Sequence, residues 1–132
     1  MVESFSMSPE QKKLHKIICS LFDLTNKQGK LFIKIYSDSD KFCCLNHLTD
    51  EMKPGRSTLQ KYIKVLLDKG LVQREAKTLA EFQEVCQKHD HKAEYNTTKG
   101  YLYMYRPIPK EKLLKKARNI WNSWNQELES QI

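Results

Sequence analysis

At 132 residues the chain has the length of one domain and can bury a single modest core without cross-links. Lysine and arginine number 23 against 16 aspartates and glutamates, a formal net charge of +7, which favours a polyanionic partner such as nucleic acid or an anionic surface. No apolar run reaches the ~20 residues of a membrane span, and the opening MVESFSMSPEQKK lacks the apolar stretch of a signal peptide, so a cytoplasmic protein with no membrane association is expected.

Ser8-Pro9-Glu10-Gln11 reads as a helix N-cap with proline at the first helical position, followed by Leu14, Ile17, Ile18, Leu21 and Phe22 at helical spacing. This predicts a first helix over 8–23. Thr25 can cap a second one through Leu31, Phe32, Ile33 and Ile35, ended by the polar run Ser37-Asp38-Ser39-Asp40, with Gly29 an unfavourable residue inside it. Phe42, Leu45, Leu48 and Met52 mark a short third helix that stops before Pro54-Gly55, since the residue preceding proline is pushed out of the helical region.

After this turn, Leu59, Ile63, Leu66 and Leu67 recur on one side of a helix while Arg56, Ser57, Gln60, Lys61 and Lys64 gather on the other. Gly70 stands where a C-terminal cap belongs. LVQREA then reads as a strand and GYLYMYRPI as its antiparallel partner, with Tyr101, Tyr103 and Tyr105 on one face and Leu102 and Met104 on the other. Between them, Leu79, Phe82, Val85 and Cys86 have helical spacing, so residues 76–99 are read as an insertion at the hairpin tip. Pro109 opens a last helix over 109–130 whose apolar positions, Leu113, Leu114, Ala117, Ile120, Trp121, Trp124 and Leu128, form one stripe. On the residues alone, that stripe serves either the domain's own core or a second copy of the chain.

Helices, a glycine-bearing turn, a basic amphipathic helix and a two-stranded hairpin are in the order of a winged helix-turn-helix: a mainly α fold with a small β-hairpin wing and flanking N- and C-terminal helices. Residues 1–132 are read as a single such domain, with the helix-turn-helix over 42–69 and the wing over 70–108. In this fold the second helix of the pair enters the major groove with its N-terminal residues at base edges, so it needs short polar, Arg or Gln side chains there and an apolar back. Arg56, Ser57, Thr58, Gln60 and Lys61 meet that requirement. Arg56 and Gln60 are the strongest candidates for reading bases, because Arg pairs bidentately with guanine and Gln with adenine; Lys53, Lys61 and Lys64 are placed as phosphate contacts. For any single lysine, a solvated helix face is the competing explanation.

The segment LTDEMKPGRSTLQKYIKVLLDKGLVQRE, followed by GYLYMYRPIPKEKL, resembles the winged-helix regulators of the MarR and TrmB groups, particularly their small archaeal members. The resemblance spans roughly Phe42 to Leu114 and rests on the Arg-Ser-Thr opening of the basic helix, its Lys-Gly-Leu-Val ending and the tyrosine-bearing return strand. It implies a sequence-specific regulator that binds double-stranded DNA. Arg56, Ser57, Thr58, Gln60 and Lys61 would lie in the major groove, and wing residues such as Arg74, Lys99 and Tyr101 on the backbone or in the minor groove. It also implies a homodimer held by the last helix on a pseudo-palindromic site. Two departures stand out: Gly55 occupies the place of a Ser or Thr cap, and the wing insertion is long.

Other chemistry is weakly signalled. Cys86, His89 and His91 lie close in sequence, but Cys-x2-His-x-His is not a zinc spacing, and neither metal nor cofactor is expected. Cys19, Cys43, Cys44 and Cys86 show no disulfide framework and are expected to be reduced thiols, leaving a thiol- or metal-sensing regulator as an alternative. There is no phosphate-binding glycine loop, nucleophile elbow or His-Glu-x-x-His, so an enzyme is not expected. The main rival is a winged-helix module that binds a protein partner. Against it, Lys53, Arg56, Lys61, Lys64, Lys69 and Arg74 face a single acid, Asp68, between positions 53 and 74.

Overall fold

The computed structural model describes residues 6–38, 43–44, 48, 55–78 and 101–132. Helix α1 (Pro9–Phe22) starts from a reciprocal cap, in which the Gln11 backbone N–H donates to Ser8 Oγ (3.2 Å) and the Ser8 N–H to Gln11 Oε1 (2.9 Å). It ends at Asp23, whose φ of 54° turns the chain back; aspartate tolerates this left-handed region better than most residues. Thr25 and Gln28 repeat the same cap at the start of α2 (Asn26–Ser37).

Helix α2 is the centre of the core. Leu31, Phe32, Ile33 and Ile35 are all buried, as is Lys34, whose ammonium meets Asp38 one turn on at 3.0 Å. The two helices touch closely at Gly29, where a methyl group would overlap Cys19 Sγ. The glycine that weakens the helix locally is therefore what lets α1 approach it. His15 Nε2 donates to the Asn26 carbonyl at 2.8 Å across the same joint, and Gln11 Nε2 donates to Ser37 Oγ at 2.7 Å at its other end.

Helix α3 (Arg56–Asp68) buries Leu59, Ile63 and Leu66, one stripe at helical spacing, against α2. Gly70, at φ +71°, closes it: the Leu71 N–H donates to the Leu66 carbonyl and the Gly70 N–H to the Leu67 carbonyl, both at 3.0 Å. The chain passes directly into β2 (Val72–Thr78), which pairs antiparallel with β3 (Tyr101–Pro107) in a register that sets Arg74 opposite Tyr105 and Ala76 opposite Tyr103. Met104 is fully buried and Tyr103 exposed, the alternation expected of a strand with two unlike faces.

One expectation fails here. Cys43 and Cys44 do not open a third helix; they form a short strand, β1 (Cys43–Cys44), paired with Tyr105 and Met104 on the free side of β3, giving the sheet order β1-β3-β2. The ladder offered by β3 satisfies backbone groups that a frayed helix start would leave to water. Leu48 is helical and completely buried, and the rest of that expected helix lies outside the described residues. Helix α4 (Lys110–Gln131) follows β3 after Ile108, whose N–H donates to the Leu71 carbonyl at 3.1 Å and closes the base of the hairpin. The whole is a winged-helix fold, mainly helical with a β-hairpin wing, flanked by α1 and α4.

Candidate nucleic-acid interface

Burial of Leu59, Ile63 and Leu66 fixes which way the rest of α3 points. Arg56, Ser57, Gln60, Lys61 and Lys64 are exposed together and Thr58 is half-buried, so the candidate reading face is continuous. Its start is cationic twice over: Arg56 and Lys61 carry charge, and the first turn, whose Gly55 cap has no side chain to bond its N–H groups, carries the positive end of the helix dipole. The single acid, Asp68, sits at the far end of the helix.

The hairpin adds a second wall. Between α3 and the wing runs an open groove of about 590 Å³ bordered by Gln60, Lys64, Asp68, Arg74 and Tyr105. Arg74 lies with its guanidinium carbon 4.3 Å from the Tyr103 ring centre, a stacking that holds the cation out from the strand. Burial pushes the Tyr105 phenol above its ordinary range; the Tyr103 phenol adds to this, while the positive charges of Arg74 and Arg56 pull it down. Both arginines therefore act on one tyrosine, and the start of α3 and the wing strand converge there. On the opposite face of the hairpin Arg106 pairs with Glu75 at 3.4 Å.

Of the residues expected at the interface, Gln60, Lys64 and Arg74 border this groove, the charge of Arg56 acts on Tyr105 beside it, and Ser57, Thr58 and Lys61 lie on the first turns of α3, exposed except for half-buried Thr58. Tyr101 lies on β3 with its side chain outside the described residues, as are Lys53 and Lys99. Tyr103 and Tyr105 were not singled out as contacts. They share a face of β3 with Tyr101, and the register sets Arg74 directly opposite Tyr105.

The stripe of α4 divides. Leu113 is buried in the domain's own core, and Ala117 and Ile120 are partly covered by it. Leu114, Trp121, Trp124 and Leu128 are about half exposed. The cluster Cys86, His89 and His91 lies outside the described residues. Cys19 is a half-buried thiol whose pKa is raised by that burial, and it donates towards the Thr25 carbonyl at 3.6 Å, an environment that disfavours a reactive thiolate. None of the described helices is long and apolar enough to cross a membrane.

No protein-family model matches the chain, and no curated protein does. Among solved structures, one from Methanosarcina mazei Go1, described as a possible transcriptional regulator, is similar with a TM-score of 0.68 at 21% identity, over 90% of this chain and 85% of that one. At that identity the likeness establishes the fold, which this chain shares with the Methanosarcina mazei protein along nearly its whole length.

Proposed function

We propose that this protein is a transcriptional regulator that binds double-stranded DNA, with α3 in the major groove and the β2–β3 wing on the flanking backbone. The observation that carries the reading is the face of α3. Its apolar stripe is buried, so Arg56, Gln60, Lys61 and Lys64 stand out as one polar, cationic surface with Arg74 across the groove. A helix needs just these two faces to enter a groove some 12 Å wide, with its N-terminal side chains at base edges and its back on the protein. Arg56 and Gln60 read bases; Lys61, Lys64 and Arg74 meet phosphates. In this reading residues 1–132 act as one winged-helix domain of the MarR and TrmB type. It works as a homodimer through α4, so that two copies of α3 reach successive major grooves about 34 Å apart.

Binding of duplex DNA across a salt series tests the reading. Affinity should fall steeply as salt rises, through release of counterions from the phosphates that Lys61, Lys64 and Arg74 neutralise. Duplex selection from a random library should then return a two-fold symmetric site. Absence of binding at low salt would turn the reading to its rival, a winged-helix module that docks on protein.

A further inference from the structure

Residues 121–131 of α4 are all exposed, so about 16 Å of helix projects from the domain. An unsupported helix of that length does not persist in water, least of all one that shows two tryptophans. The apolar residues that the domain leaves wholly or partly uncovered follow a rule of their own. Leu114, Ala117, Trp121, Trp124 and Leu128 succeed one another at intervals of three, four, three and four, the seam of a two-helix coiled coil, whereas the domain's own core takes Leu113 with the edges of Ala117 and Ile120. The charges are polarised along the same helix. Lys110, Lys112, Lys115, Lys116 and Arg118 with one acid, Glu111, occupy the half beside the domain, and Glu127 and Glu129 without a base occupy the free half.

We propose that α4 pairs antiparallel with α4 of a second copy of this chain, about a two-fold axis midway between Trp121 and Trp124. This inference rests on the dimer of the reading above and fixes its orientation and register. Trp121 packs on the partner's Trp124, small Ala117 receives the partner's Leu128, and Glu129 of each copy lies beside Lys115 and Arg118 of the other. All three fall on the same flank of the seam by helical position. A parallel pairing sets the two basic halves side by side and repels, and a partner protein would not need a helix whose two ends complement each other. Two copies do.

Sedimentation equilibrium of the full chain tests this. Wild type should be a dimer and the Trp121→Ala, Trp124→Ala variant a monomer whose circular dichroism loses only the helicity of the projecting end of α4, the rest of the domain staying folded. Lys115→Glu with Arg118→Glu, both exposed, should raise the dimer dissociation constant about tenfold. Adding Glu129→Lys to that pair should restore it, which only the antiparallel register allows. A monomeric wild type, or a failure of Glu129→Lys to restore dimerisation, overturns the pairing. Duplex binding measured on the same proteins separates the two readings: a dimer that rescues as expected yet binds no DNA removes the DNA-binding function and supports the pairing.

Discussion

Helices α3 and α4 are both amphipathic and lysine-bearing, and they dispose of their apolar residues differently. In α3 Leu59, Ile63 and Leu66 are buried and the exposed side is polar and cationic. In α4 Leu113 is buried, while Trp121, Trp124 and Leu128 remain 55%, 43% and 56% exposed. The first helix is complete within the domain and offers charge outward. The second is complete only over its first turns and offers apolar surface outward. Exposed charge on a packed helix suits a polyanion, and exposed tryptophan on a projecting helix suits another helix.

Substitutions in the two helices should separate these roles, the greatest loss coming from the packed side of α3. Leu66→Ala removes a completely buried side chain and should cost ~2–5 kcal/mol of folding stability in urea denaturation. Trp124→Ala should change the stability of the monomeric fold by no more than about 0.5 kcal/mol. Equal losses at the two positions would mean that α4 is packed on its own domain after all. On the outward side of α3, Arg56→Ala should reduce discrimination at one base pair by ~1–3 kcal/mol, whereas Lys64→Ala should weaken binding to all sequences alike and lower the salt slope by about one. If Arg56→Ala weakened specific and random duplexes equally, Arg56 would join the phosphate contacts.

The two ends of α3 give smaller effects of opposite sign. Gly70 holds φ +71° with Lys116 Nζ only 3.2 Å from where a Cβ would stand, so Gly70→Ala should cost ~1–2 kcal/mol, read as a lower melting temperature. Gly55 is an N-cap in ordinary extended backbone with open space around it, so Gly55→Ser should add a few tenths of a kcal/mol, about what a side-chain cap gains over glycine. A stabilised Gly55→Ser variant that bound DNA less well would point to close approach of the backbone at that helix start.

Local chemistry made most of the fold legible. Ser8 and Thr25 sit at their caps, Gly70 ends α3, and the alternation in YLYMYRP is the alternation of buried Met104 and exposed Tyr103. What escaped was set by contacts distant in sequence. Cys43 and Cys44 are a strand because β3 lies alongside, and two residues are too few to show a period of two. Gly29 looks like a flaw in a helix until Cys19 is seen against it. The stripe of α4 reads as one face in sequence, and it divides because the domain covers only part of that helix. Leu113 and Leu114 are neighbours in that stripe, yet the first is buried and the second half exposed.

The sheet order β1-β3-β2 has a consequence for how molecules of this protein behave in a crowd. With β1 on one side of β3 and β2 on the other, β2 is an edge strand among the described residues, and an edge strand's backbone groups could template a strand from a neighbouring chain. Its sequence, VQREAKT, carries Arg74 and Glu75 there, and a second sheet could add only by stripping these charges of water. The wing's charged character thus guards against fibrous association, and neutralising Arg74 and Glu75 together should lower solubility even in a protein that never meets DNA.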